Sequence, residues 1–318
     1  MKSSGSHSPV LFFLVGPTAT GKTALAIEIA KRLGAEIISA DSVQFYDELK
    51  IGSARPTDEE LAKVKHHFVG HVSVTKDYTA GDFEREALAL VRAKPEKSFI
   101  VVGGSGFYIQ AFEKGMYPIH RKNEAIQNRL EKRIDVEGLS AVHKELETRD
   151  PETAKKIAPQ DRYRIVRALE ILETLPTGET LSKMKVDFEL EAKNRFPGRK
   201  VATFGLRLER ARLEPRVMAR TRAMLAQGLI EEVRALYEKG LVDRPALQSV
   251  GYKEVVQHLR GELSLELLEP MIVQGTLKLA KKQRTWFARG YDTKWYDADL
   301  ETKTAKDEIL RVAARALD

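Results

Sequence analysis

The chain has 318 residues, enough to bury one large core or two modest ones. Its 42% hydrophobic and 31% charged residues exclude wholesale disorder, its zero cysteines exclude disulfides and thiolate zinc sites, and no apolar run approaches the roughly 20 residues of a membrane span. Lys+Arg at 53 against Asp+Glu at 46 leaves a net charge of +7, which favours polyanionic partners, though many basic proteins bind no nucleic acid. The opening MKSSGSHS is short and polar and lacks the apolar stretch of a secretory signal. The reducing cytoplasm is the expected compartment.

Residues 10–15 (VLFFLV) form a continuous apolar run that stops at Gly16, the pattern of a buried parallel strand. Over 22–33 the period becomes helical: Ala26, Ile29, Ala30 and Leu33 share a face, and Gly34 suits the stop. A second strand is predicted at 36–40 with Asp41 at its carboxyl end, a helix at 83–92, and a third strand at 99–102 that breaks at Gly103-Gly104. This alternation implies a right-handed, mostly parallel sheet covered by helices. Residues 119–197 are charged and helix-rich, with no convincing strand, and read as a helical insertion into an α/β core made of 1–118 and 198–318. A strand at 201–208 follows, then helices at 215–227, 230–239, 253–259 and 269–289, and a short strand at 294–296.

The segment Gly16-Pro17-Thr18-Ala19-Thr20-Gly21-Lys22-Thr23 matches the GxxxxGK[ST] phosphate loop between the strand and helix it requires. Small residues let successive backbone N–H groups converge on an anion, the helix adds its positive end, Lys22 brings a mobile charge and the Thr23 hydroxyl can bind Mg²⁺. The loop specifies a phosphate ligand without saying which. The strand at 99–102 ends in Gly-Gly-Ser where a nucleotide hydrolase would carry a Walker B Asp.

Ligands of open α/β sheets bind outside the carboxyl ends of the strands, where Gly16, Asp41 and Gly103 all fall. A carboxylate facing a diphosphate is repelled unless a metal or a proton-donating substrate intervenes, so Asp41 is metal-associated, a general base, or simply a turn residue. Ser105 offers a hydroxyl at the same rim and could equally be a helix N-cap.

The segments VGPTATGKT, ISADSVQFY with IGSARPT, VVGGSGFYIQA, RYRIVRALEI, SVGYKE and KKQRTWFARG resemble, in order, those of the tRNA dimethylallyltransferases (tRNA isopentenyltransferases) of bacterial type, from about residue 10 to 297. The resemblance implies a P-loop NTPase-like core and transfer of a dimethylallyl group from dimethylallyl diphosphate to N6 of the adenosine 3′ to a tRNA anticodon. It implies that Asp41 is the general base, that Lys22 and Arg220 bind diphosphate with the loop, and that Thr23 supports Mg²⁺. It further implies that the anticodon stem-loop meets Asp41, Ser42, Val43, Gln44 and Ser105, and Gln160, Asp161, Arg162, Tyr163 and Arg164 of the insertion. The same role falls to Gln248, Ser249, Val250, Gly251, Tyr252 and Lys253, and to Lys281, Lys282, Gln283, Arg284, Thr285, Trp286, Phe287, Ala288 and Arg289. Gln127 and Gln160 depart from the family's usual Arg and Asn, and the zinc finger of eukaryotic members is missing.

An exocyclic adenine amine is a poor nucleophile, so a carboxylate that removes its proton helps by about 10²–10⁴-fold, and Asp41 is the candidate. A mid-helix Trp286 is expected in the core, His66, His67 and His71 at the surface or in loops, and the protein is expected to be a monomer. A free-nucleotide (adenylate) isopentenyltransferase is the nearest alternative; a small-molecule kinase and an RNA-binding protein with a relict phosphate loop are the others.

Overall fold

The computed structural model describes residues 9–116, 123–176, 178–184, 195–289 and 292–315. The opening octapeptide and the expected boundary at 118 lie outside them. The chain divides into two compact units, Met1–Phe112 with Phe196–Asp318, and Glu113–Arg195.

The first unit is built on strands β1 (Val10–Val15), β2 (Glu36–Ser39), β3 (His66–His67), β4 (Phe99–Gly103), β5 (Lys200–Arg207) and β6 (Thr293–Asp297). They form one sheet in the order β3-β2-β4-β1-β5-β6, with every pair parallel. Strand β1 is buried along its whole length because both faces are covered: Leu11, Phe13 and Val15 enter one hydrophobic cluster, and Val10, Phe12 and Leu14 the other. That two-sided burial is why its sequence is uniformly apolar and does not alternate.

The helices are α1 (Lys22–Leu33), α2 (Asp58–Lys63), α3 (Ala80–Ala93) and α4 (Gly106–Lys114), whose last two residues open the second unit. Within that unit lie α5 (Glu124–Glu137), α6 (Leu139–Arg149), α7 (Pro151–Ala154) and α8 (Arg162–Thr174). The first unit resumes with α9 (Arg210–Ala226), α10 (Leu229–Glu238), α11 (Tyr252–Leu259), α12 (Leu265–Phe287) and α13 (Thr302–Ala314). Helix α1 stops where Gly34 turns left-handed and its N–H donates to the Ala30 carbonyl. The second unit has its own core of Leu130, Ile134, Val142, Leu146, Ile165 and Leu169.

Two expectations are corrected. His66 and His67 are not surface loop residues: they form edge strand β3, half-buried, with the His67 Nε2 2.7 Å from Glu36 Oε2. Helices α9 and α12 each begin five residues before the proline, Pro215 or Pro270, near which a start was expected. The upstream turns carry Leu213 and Leu268, both buried, and their packing outweighs the hydrogen bond each proline removes.

Candidate active site

The turn after β1 can form only with glycine at its first position. Gly16 has φ 139°, and a Cβ there would lie 2.2 Å from the Leu206 carbonyl oxygen of β5. Ala19 and Gly21 also adopt positive φ, at 63° and 81°, which folds the loop back over the start of α1. The Thr20 hydroxyl ties the turn by donating to the Pro17 carbonyl at 2.9 Å. The Lys22 ammonium donates to the same carbonyl at 2.5 Å and is nearly buried. Burial, then the Arg220 charge, push the Lys22 pKa down to about 7, against the pull of Asp41. Arg220, from α9, is half-buried, its pKa drawn down by desolvation, and its Nη1 donates to the Thr18 hydroxyl at 3.1 Å.

Asp41 follows β2 and shares a cavity of about 160 Å³ with Thr18, Lys22, Thr23, Arg220 and Gln283. Its Oδ1 accepts the Val43 N–H at 3.0 Å, so the turn role is real and occupies one oxygen. Ser105 does not cap α4: its Oγ accepts the Ser42 N–H at 3.0 Å and donates to the Ser42 hydroxyl at 3.2 Å, pinning the Asp41 turn to the GGS turn. That junction is tight, because a Cβ on Gly103 would lie 2.1 Å from the Ala40 carbonyl oxygen. Ala26, Ile37, Ala54, Pro56 and Val102 supply an apolar flank to the cavity, and His66, missed in the sequence, lines it too. The His66 Nε2 is buried without a partner among the described residues.

Of the other expected contacts, Gln44 lines the cavity but spends its amide within the protein, accepting from Ser39 Oγ at the end of β2 at 3.0 Å and donating to the Ser53 and Ala54 carbonyls of the 50–56 loop at 3.2 and 3.3 Å. Gln283 points inward, its Oε1 accepting the Thr18 N–H at 2.9 Å. Tyr252 and Phe287 have no surface to offer a nucleic acid: both are 0% exposed, buried in the cluster on one sheet face. Tyr252 instead donates to Glu232 Oε1 at 2.7 Å and accepts the Ser53 N–H at 3.1 Å. Lys253 is exposed and faces Glu254 at 3.6 Å, while the Ser249 hydroxyl donates to the Ala246 carbonyl at 2.6 Å. Trp286, expected in the core, is 37% exposed, and Lys281, Lys282, Arg284, Thr285, Ala288 and Arg289 are exposed around it. The residue that fills the core position is its neighbour Phe287.

Gln160, Asp161, Arg162, Tyr163 and Arg164 stand at the start of α8 in the second unit. Asp161 caps that helix through the Arg164 N–H at 3.1 Å, Tyr163 is 62% exposed, and Arg162 pairs with Glu131 and Asp135 at 2.5 and 2.8 Å. Gln127 donates to the buried Glu170 at 2.7 Å, beside Arg167 on the same carboxylate at 2.5 Å.

A parallel α/β sheet, a glycine-bearing turn at the strand ends, and a cavity lined by Lys22, Arg220 and Asp41 define a protein with a P-loop-like α/β core. The family model described as IPP transferase matches residues 44–290. A tRNA dimethylallyltransferase of Bdellovibrio bacteriovorus is 39% identical over 95% of this chain and 98% of its own length, and a tRNA dimethylallyltransferase 2 of Syntrophus aciditrophicus 38% identical over 98% and 97%. Among solved structures, the full-length tRNA isopentenylpyrophosphate transferase of Bacillus halodurans superposes with a TM-score of 0.69 at 30% identity, over 96% of this chain and 97% of that one. The chain belongs to the IPP transferase family.

Proposed function

We propose that this chain is a tRNA dimethylallyltransferase that moves the five-carbon group of dimethylallyl diphosphate onto N6 of the adenosine 3′ to the anticodon, releasing diphosphate. The observation that carries the reading is the single cavity shared by Lys22, Thr23, Arg220 and Asp41. The names of its relatives support tRNA as the acceptor. The apolar flank beside the cradle suits a short hydrocarbon chain, which a kinase cavity would not need.

In the reaction the N6 lone pair forms a bond to the allylic C1 as the C1–O bond breaks. The bonding pair leaves with diphosphate, and Asp41 takes the N6 proton as the amine becomes cationic. Backbone N–H groups of 19–22, the Lys22 ammonium and the Arg220 guanidinium face the charge that grows on the leaving oxygens. Among the described residues no group of three His, Cys, Asp or Glu could cage a metal, but Mg²⁺ binds readily through one hydroxyl or carboxylate plus substrate phosphates. Thr23 fits that requirement at the mouth of α1, and a Mg²⁺ held there would add neutralising charge to the diphosphate. The compartment consistent with a tRNA substrate is the cytoplasm.

The test offers labelled dimethylallyl diphosphate with either tRNA or AMP. Label in tRNA with none in AMP is the expected outcome; label in AMP alone would favour the adenylate isopentenyltransferase. Asp41→Asn should cut turnover by about 10²–10⁴-fold, far more than it weakens tRNA binding. Undiminished turnover would remove Asp41 from the role of base.

A further inference from the structure

The GGS turn leads into α4, whose first residues face the end of α12. A Cβ on Gly106 would lie 2.2 Å from Trp286 Cδ1, so the indole is seated directly on the α4 backbone. Gln110, one turn further along α4, lines a surface groove with Lys281, Lys282, Thr285, Trp286 and Arg289. Phe107 precedes Gln110 by three residues and therefore shares its side of the helix. It is 53% exposed, and Trp286 37%. Two aromatics are thus open to solvent on α4 and α12, the helices that meet at Gly106, one residue beyond the Ser42–Ser105 junction, and a partner could cover them.

The charge around them says what does. Lys281, Lys282 and Arg289 make no ion pair among the described residues, and no carboxylate lines the groove. Aromatic faces flanked by unpaired cations are the chemistry that holds single-stranded nucleic acid, with bases stacking on rings while phosphates meet the cations. A protein partner would call for acidic side chains, but it would not call for flat rings at the lip of a cavity that must admit one extruded base.

We infer that Phe107 and Trp286 form a stacking platform for an unpaired base next to the one being modified. This rests on the tRNA reading above and adds α4 as a second wall of the RNA site. The platform holds the flanking nucleotide while its neighbour turns inward past Ser42 toward Asp41.

Fluorescence tests it directly, since Trp286 is one of two tryptophans and Trp295→Phe leaves it as the sole reporter. Full-length protein is titrated with an anticodon stem-loop RNA and with two versions, each lacking one of the bases that flank the target. The intact RNA should quench Trp286, and one abasic version should bind about 10-fold more weakly with the quenching lost. Phe107→Ala should weaken intact RNA by a similar factor, and should cost little more when combined with that abasic RNA. Phe107→Tyr should restore binding, which a mere change in folding would not allow. Equal binding by the intact and both abasic RNAs, with Phe107→Ala silent and prenyl transfer continuing, would overturn the platform and leave the tRNA reading standing. Absence of transfer to any RNA would instead remove the reading on which it rests.

Discussion

Charge at the floor of the cavity can be isolated by changing pH or by replacing Lys22. An unfolded Lys22 keeps its proton to about 10.5, whereas in the fold burial and Arg220 bring release down to about 7. Between those limits the unfolded chain binds the extra proton, so stability rises with pH from 7 upward, and below 7 the whole cost of a buried ammonium is present. That cost is at most about 5 kcal/mol at roughly 1.4 kcal/mol for each pH unit. Lys22→Met should therefore melt above wild type at pH 6.5, and the gap should close toward pH 10. A bound diphosphate supplies the acceptors that the lone Pro17 carbonyl does not, so it restores the charged form and should draw close to one proton onto Lys22 at pH 8. Calorimetric titration with pyrophosphate in two buffers of different ionisation enthalpy measures this uptake. Lys22→Arg, always charged, subtracts the protons released by pyrophosphate itself. Identical proton counts for wild type and Lys22→Arg would refute a neutral Lys22 in the free protein.

Glu232 grips the loop that walls the cavity: its carboxylate accepts from the N–H groups of Lys50, Ile51 and Gly52 at 3.0, 2.8 and 3.3 Å and from the Tyr252 hydroxyl at 2.7 Å. Glu232→Gln should cost about 1–2 kcal/mol in denaturant melts and raise KM for the prenyl donor more than for tRNA, because Ala54 and Pro56 are carried by that loop. An unchanged donor KM would show that the wall holds without the clamp. Gly103→Ala should cost about 1–3 kcal/mol through its clash with the Ala40 carbonyl, and should lower kcat by separating Ser105 from Ser42. A variant that melts and turns over like wild type would show that β2 and β4 can part at no expense.

Where the chain obeys strong local rules, the sequence was legible. Strand β1, the phosphate loop, the glycine stop of α1 and the α/β alternation each follow from a run of neighbouring residues. The sites that could not be read depend on distant partners. Tyr252 looks like an exposed motif residue until Gly52 is found against its ring and Glu232 on its hydroxyl. Trp286 and Phe287 are adjacent aromatics, and only the direction of α12 decides which of them faces the core. His66 and His67 form too short a strand to show a period, and pair only because β2 is already in place. Glu232 carried no signal, since a lone Glu near a helix start reads as a solvated charge.

The end of α12 ties the phosphate loop, the GGS turn and the core together. Gln283 reaches the phosphate loop through the Thr18 N–H, and its amide nitrogen fills the space a Cβ on Gly104 would need, 2.3 Å away. Trp286 lies on Gly106 one turn later, and Phe287 is locked in the core. One helix thus braces the phosphate loop against the turn that holds Ser42 beside Asp41. Because Lys281, Lys282 and Arg289 stand on the open side of the same segment, an RNA that pulled on those cations would pull on the spacing between cradle and base.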